Sequence, residues 1–547
     1  MDSVVKFKSL RTNPWLWAGA ILFLLALFTL RIWPAGAERF AVDEAHHSGW
    51  ARLIANGDPF MRTIAADKPP QLYYLIALSF KLFGENEISA RLPNVLAGTL
   101  LILPLWGIAR RLYPSRIGVA LLACALYALS PLAQVYAPTA FTDPLMVFWL
   151  VMCVWLVTGQ RWFWAGLALG LAICAKQQAL FFLPFPVFLG LIELFYQPKS
   201  GPAWSWRTLA GRLTLVVGGL ALPLALVLGF DKWRGQTSSL TYGAALNGEK
   251  LGLAYPVAWP GRLGEWWNRV LQYFFAPGWF GLLLALALLL YGGWTLARLA
   301  RLWQNRHADN SFSTSAVQGV LADTALLTAT LIVLGWHTAM TFPVWDRYLL
   351  PLVPFVALLL ARTLTAVAGV LRSFFSNRAG TSRLNSTGII LAGLALFVFI
   401  FMAQPLVEAA TYRLPLGGDY LAFSGEGPGA HSAYDGIQQI GPYLKASLPP
   451  GAVVYAEEMD WEFSYYLFGV PVELPSNKSR PLDPAVVAAS AEQKPAYVIY
   501  SDWQGSSYQK LQNELSSLGY RLEPVREIQP GSNPGRTSFT IYSVKRV

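Results

Sequence analysis

The chain has 547 residues, of which 54% are apolar and only 13% charged, about half the charged share usual in a soluble domain. That composition excludes disordered, collagenous and ordinary soluble chains. The net charge of +11, from 42 Lys and Arg against 31 Asp and Glu, sits mostly between apolar runs, where it reads as a membrane orientation signal rather than a nucleic-acid surface. Cys124, Cys153 and Cys174 all lie inside apolar stretches, with neither disulfide nor metal-ligand spacing.

Apolar runs long enough to cross a bilayer as a helix, about 18 residues, extend from Thr12 to Leu30, Leu92 to Ala109, Ile117 to Thr142, Leu213 to Phe230, Leu271 to Leu296, Thr324 to Trp345 and Leu384 to Val407. Between Pro144 and Ile192 only Arg161 and Lys176 interrupt the apolar sequence until Ile192, a length that fits three crossings. A further crossing from Tyr348 toward Val370 contains Arg362, expected to snorkel to the nearer headgroups. The expected fold class is thus a polytopic α-helical membrane protein of about eleven spans, at most thirteen.

Basic residues test that count. Lys6, Lys8 and Arg11 precede the first span, and Arg110, Arg111 and Arg116, then Arg161, Lys199, Arg207 and Arg212, Arg298, Arg301 and Arg306, and Arg372, Arg378 and Arg383 follow alternate spans. The alternation predicts a cytoplasmic amino terminus and, with an odd span count, an outer face for everything after Val407. Ala35-Gly36-Ala37 resembles a signal-peptidase box, but the apolar core before it is longer than a signal h-region, so an uncleaved first helix is expected. Residues 1–407 are read as a membrane domain with long outer loops at 33–91 and 231–269, and 408–547 as a small extracytoplasmic α/β domain. In the latter, strands are expected at Val453–Ala456, Tyr497–Tyr500 and Phe539–Val544, and helices at Pro484–Glu492 and Ser507–Leu518.

The first outer loop is too long for a connector, and such loops are usually functional. Glu44 to Asn56 can form a helix, and Leu72 to Phe83 is apolar but too short to cross, which suits an interfacial helix. Trp233, Trp259, Trp266 and Trp267 in the second loop are expected to anchor at headgroup level. Five charged elements share the outer face: Asp43-Glu44, Asp67-Lys68-Pro69-Pro70, Asp143-Pro144, Lys176, and Asp346-Arg347-Tyr348. Carboxylates can act as bases and cations can bind an anionic group, so Asp43 and Asp143 beside Lys68, Lys176 and Arg347 are the candidate chemical set on that face.

Phe40-Ala41-Val42-Asp43-Glu44-Ala45, Gly57-Asp58-Pro59, Asp67-Lys68-Pro69-Pro70 with Leu72-Tyr73-Tyr74, Ala90-Arg91-Leu92-Pro93, Thr142-Asp143-Pro144, Ala175-Lys176-Gln177-Gln178 and Arg347-Tyr348-Leu349-Leu350-Pro351 follow one another in an order that resembles the GT-C membrane glycosyltransferases. The resemblance covers roughly Trp15 to Leu360 and is to the protein O-mannosyltransferase and lipid A aminoarabinose transferase type. It implies a hexosyl or pentosyl transferase that takes its sugar from a polyprenyl-phosphate-linked donor, with membrane lipids as surroundings, a protein, lipid or glycan as acceptor, and no nucleic acid. On it rest the catalytic roles expected of Asp43 as base, Asp143 and Glu44. It also carries donor-phosphate roles for Arg347, Lys68, Lys176 and Tyr348, and substrate-loop roles for Asp67, Tyr73 and Tyr74. Two departures stand out: Asp67 where the family often has Glu, and His46-His47 where Arg or Tyr commonly follows the acid pair.

Each element also has a plain structural reading. Asp43 and Asp143 suit helix N-caps, Asp67 and Lys68 a solvated turn, and Lys176 and Arg347 interfacial anchors, Arg347 with Asp346 for a partner. Glu44 projects about 100° from Asp43 around a helix, so the two need not share a substrate. His46 and His47 with Asp43 could hold a divalent metal, though neighbouring histidines are more often unliganded. The competing classes are a polytopic lipid or polysaccharide transporter or flippase, and a membrane scaffold. The long first loop and the lack of internal repeats disfavour a repeat-built transporter.

Overall fold

The computed structural model describes residues 14–36, 39–40, 42–195, 205–246, 252–270, 279–304, 314–379, 393, 434–457, 460–473, 482–530 and 537–547. The membrane part begins with α1 (Pro14–Ile32), followed by α2 (Val42–Asn56) and α3 (Gln71–Phe83) in the first loop. Next come α4 (Glu87–Leu100), α5 (Ile102–Leu112), α6 (Ile117–Ala128), α7 (Pro131–Tyr136), α8 (Thr142–Thr158), α9 (Trp162–Ala175) and α10 (Pro184–Phe195). The series continues through α11 (Trp206–Trp233), α12 (Ser239–Leu246), α13 (Trp259–Val270), α14 (Trp279–Gln304), α15 (Thr314–Ala339) and α16 (Val353–Ala379).

Among the described residues, five helical stretches are long and apolar enough to cross a membrane: Trp17–Gly36, Glu87–Leu112, Trp206–Trp233, Ala316–Ala339 and Asp346–Leu371. Shorter apolar helices occupy Gln71–Phe83, Ile117–Ala128, Thr142–Thr158, Trp162–Ala175 and Pro184–Leu194. Apart from Gly393, the expected span Leu384–Val407 lies outside the described residues, as do Lys6, Lys8 and Arg11.

Two expectations are corrected. The run Ile117 to Thr142 is not one helix: α6 ends at Ala128, Ser130 is extended (φ −63°, ψ 123°), and α7 restarts with Pro131 in its first turn. Proline lacks the N–H that would continue the ladder and forces the residue before it out of helical geometry. Arg362 does not snorkel. It is buried and forks onto Asp323 of α15, with Nε at 3.1 Å and Nη2 at 2.8 Å from the two carboxylate oxygens. Tyr113 and Tyr291 also donate to that carboxylate, at 2.7 and 2.5 Å.

Close packing positions the bundle. At Gly166 and Gly219, which face each other between α9 and α11, an added Cβ would lie 2.0 Å from the Val216 and Phe163 carbonyl oxygens, so the backbones touch without side chains between them. At the start of α4, the Asn86 side chain accepts from the Ser89 N–H and caps the helix just after the first loop.

The carboxy-terminal segment carries α17 (Ile437–Ser447), β1 (Val453–Ala456), α18 (Asp460–Tyr466), β2 (Val472–Glu473), α19 (Pro484–Gln493), β3 (Ala496–Ser501), α20 (Gly505–Ser517), β4 (Tyr520–Ile528) and β5 (Phe539–Arg546). Its strands form one sheet in the order β2-β1-β3-β5-β4, with β1 parallel to β2 and β3, and β5 antiparallel to β3 and β4. Apolar side chains cover both faces, one layer around Ile437, Phe463 and Ile541 and the other around Val487, Leu511 and Leu515.

Candidate active site

Asp43 lies in the first turn of α2, where a carboxylate faces the positive end of the helix dipole. Its Oδ2 accepts from Arg347 Nη1 at 2.8 Å, across 304 residues of sequence. Asp346, the neighbour of Arg347, accepts from Arg269 Nε at 2.7 Å. The Arg347 guanidinium lies over the rings of Phe141, Trp345 and Tyr348, at 4.9, 5.1 and 5.9 Å from their centroids. Those aromatic faces hold the fork at one orientation and favour its charge.

Tyr348 links Arg347 to the next cation, because Lys176 Nζ sits 4.9 Å from the centre of its ring. Lys176 donates to Asp143 Oδ1 at 2.7 Å, and Asp143 occupies the first turn of α8. Lys68 donates to Asp67 Oδ2 at 2.8 Å. The structure therefore brings Asp43, Asp67, Lys68, Asp143, Lys176, Arg347 and Tyr348 together as three alternating acid–base pairs.

The loop between α7 and α8, which delivers Asp143, is held from below by the first-loop helix and α4. Glu44 accepts from the Ala140 N–H at 2.7 Å, the Ala140 carbonyl contacts His47 Nδ1 at 2.8 Å, and Asn94 Nδ2 donates to the Thr139 and Phe141 carbonyls at 2.6 Å each. Glu44 is fully buried and takes a two-pronged bond from Arg91 at 2.9 and 2.8 Å. Its side of α2 is the packing side, and Asp43 points instead to Arg347. Tyr73 is buried against Trp50 and His47, with ring centroids 5.0 and 5.4 Å away, whereas Tyr74 turns aside and donates to the Pro59 carbonyl at 2.8 Å.

Burial by itself would raise the Asp43 pKa, but Arg347, then Lys68 and the two imidazoles, outweigh it and hold Asp43 below the ordinary carboxylate value. The same opposition of burial and Lys68 lowers Asp67. Burial, aided by the neighbouring cations, pushes His46 down to about 3 and His47 to about 4, so both imidazoles are neutral at pH 7. Among the described residues no three His, Cys, Asp or Glu side chains gather to hold a metal ion. Asp43 is turned to Arg347 and the His47 Nδ1 to Ala140.

Several supporting residues escaped the sequence reading. Gln177 Nε2 donates to the Ser239 carbonyl at 2.8 Å and to the Asp67 carbonyl at 3.2 Å, tying the Asp67-Lys68 turn to α12. Gly243 of α12 rests on that turn so closely that a Cβ would lie 2.1 Å from the Asp67 oxygen. Trp266, expected at the headgroups, is buried instead and donates to the His337 carbonyl at 2.9 Å. Trp233 and Trp267 remain exposed.

The chain is similar to known proteins in sequence and in fold. The dolichyl-phosphate-mannose-protein mannosyltransferase family matches residues 67–225. An undecaprenyl phosphate-alpha-4-amino-4-deoxy-L-arabinose arabinosyl transferase of Pseudomonas paraeruginosa is 28% identical over 308 residues, 53% of this chain and 50% of that protein. The enzyme of the same name from Pseudomonas aeruginosa is 30% identical over 240 residues, 40% of this chain and 41% of that protein. The chain thus spans about half the length of the first of these curated relatives and less of the second. The crystal structure of ArnT from Cupriavidus metallidurans bound to undecaprenyl phosphate shares the fold, with a TM-score of 0.55 and 15% identity over 96% of this chain and 98% of that one. The chain is thus similar over residues 67–225 to dolichyl-phosphate-mannose-protein mannosyltransferases, similar over about half its length to aminoarabinose transferases, and alike in fold to ArnT.

Proposed function

We propose that the protein transfers a sugar from a polyprenyl-phosphate-linked donor to an acceptor hydroxyl at the outer face of the membrane, with Asp43 as general base. The observation that carries this reading is the Asp43–Arg347 pair, a carboxylate and a phosphate-binding fork 2.8 Å apart. Arg347 and Lys68 bind the donor phosphate, and Lys176 adds charge beside it. In the resting chain Arg347 holds Asp43 ionised but a poor base. When the donor phosphate occupies the fork, its negative charge competes for Arg347 and raises the proton affinity of Asp43. The acceptor oxygen then attacks the anomeric carbon, the carbon–oxygen bond to phosphate breaks, the acceptor proton passes to Asp43, and the phosphate leaves with its charge neutralised by the cations. Asp143, held by Lys176, orients the acceptor or the base.

The similarity to arabinosyl transferases supports this class over a transporter. Under the same reading the amino terminus is cytoplasmic, and residues 408–547 form a separate unit on the outer side, where they meet the first loop. Purified protein incubated with polyprenyl-phosphate sugars and an acceptor glycolipid is expected to release free polyprenyl phosphate. A chain that inserts correctly and releases none from any such donor would overturn the proposal. Cysteine labelling near Ser507 from outside intact cells tests the topology.

A further inference from the structure

The first-loop helix α2 carries Asp43 at one end, and the residues that grip its other side come from the far carboxy-terminal segment. Tyr466, at the end of α18, accepts from the Phe40 N–H at 3.0 Å and donates to Glu87 at 2.9 Å. One hydroxyl therefore ties Phe40, two residues before α2, to the first turn of α4. Tyr465 packs edge-on against Phe40, with ring centroids 4.8 Å apart, and its carbonyl accepts from Arg52 Nη1 at 2.7 Å. The Arg52 guanidinium also covers the rings of Tyr465 and Phe468, at 5.1 and 4.9 Å. Gly49 lets the two helices meet, since a Cβ there would lie 2.8 Å from Ser464 Oγ.

These contacts reach three residues before the base and nine after it, while Asp43 faces Arg347 on another side. We infer that the Tyr465-Tyr466 pair of the carboxy-terminal segment is a positioning clamp for the catalytic helix, setting the distance between the Asp43 carboxylate and the acceptor oxygen. Neither tyrosine reaches the reacting atoms. The clamp acts through the Phe40 backbone, which fixes where α2 begins, and through Arg52, which fixes its roll. A base displaced by a fraction of an ångström still binds donor through Arg347 and Lys68 but abstracts the proton less well. The signature is therefore a loss in kcat with donor KM unchanged.

This inference rests on the proposed transferase reading, and its test separates the two. Tyr466→Phe keeps the ring and removes only the bridging hydroxyl. It is expected to lower kcat by about tenfold, to leave donor KM within about twofold, and to speed hydrogen exchange at the amides of residues 42–50 while residues 353–370 stay as in the wild type. Wild-type kcat, a proportional rise in KM, or unchanged exchange at residues 42–50 would each overturn the clamp. If the variant loses thermal stability and specific activity per folded molecule is unchanged, the contact is merely structural and the inference also fails. Should wild-type protein release no polyprenyl phosphate, the transferase reading falls, and the local exchange measurement still decides whether Tyr466 holds α2.

Discussion

Two arginines on one helical stretch, residues 346–379, end in opposite situations. Arg362 meets an Asp323 that is 1% exposed and takes four donors, two from the guanidinium and one each from Tyr113 and Tyr291. Arg347 meets an Asp43 whose side chain is still 25% exposed, in a setting of aromatic faces and neighbouring cations. A saturated, dry pair has nothing to exchange and stabilises only while both partners remain. Under the proposed function, a half-open pair beside Lys68 and Lys176 is the one that trades a partner for an incoming phosphate. The same contrast divides adjacent residues in α2, with Glu44 locked to Arg91 and Asp43 left toward the site.

The sharpest way to break the comparison is to neutralise each acid. Asp43→Asn is expected to fold and insert normally and to lose about 10²- to 10⁴-fold in turnover, measured as polyprenyl phosphate released per folded molecule. Asp323→Asn should leave that specific activity near wild type and lower the thermal midpoint instead.

Removing the cations is the next largest test. Arg362→Ala strands a buried carboxylate and should cost roughly 3–5 kcal/mol of stability, read as a fall in detergent-solubilised folded yield. Replacing Asp323 and Arg362 together by Asn and Met should recover much of it. Arg347→Ala should instead keep the fold, weaken donor use, and move the acid limb of the kcat/KM profile to higher pH, because Asp43 loses the charge that depresses its pKa. Arg347→Lys should lie between alanine and wild type, since a point charge replaces a fork.

The smallest effect expected is on stability as pH falls. An unfolded imidazole takes up its proton near 6.5, whereas folded His47 does so only at about 4. Its contribution is full above 6.5 and drains as pH falls toward 4. Thermal midpoints at pH 7.5 and pH 5 should therefore differ more in the wild type than in His47→Gln. Equal differences would remove His47 from the buried set around the site.

The cluster was readable in part because Asp143, Lys176 and Arg347 stand at the ends of apolar runs, while Asp43 and Asp67-Lys68 were grouped with them by the order of the motifs. The offset of about 100° between Asp43 and Glu44 left open whether they share a substrate, and in the structure they meet different partners, Arg347 and Arg91. Which acid meets which base was not readable, because it depends on how helices hundreds of residues apart are rotated. Asp323 sits 39 residues before Arg362 on a different helix, and nothing local marks it as the partner. Strand β4 was missed because its sequence, YRLEPVREI, is mostly exposed, interrupted by Pro524 and bulged there, so it lacks the alternation that marks a strand. The break before Pro131 was written plainly in the sequence but was outweighed by the hydropathy of the run around it.

The 304-residue separation between Asp43 and Arg347 also sets a timetable for biosynthesis. At about 5–20 residues per second, some 15 to 60 seconds pass between translation of the first partner and of the second. Throughout that interval the nascent chain carries Asp43 without its guanidinium, so the Asp43–Arg347 pair forms only after most of the bundle has been made. A chain stalled before Trp345 would hold Asp43, Asp143, Lys68 and Lys176 but not Arg347, leaving unpaired the carboxylate that the finished chain pairs across its whole membrane part.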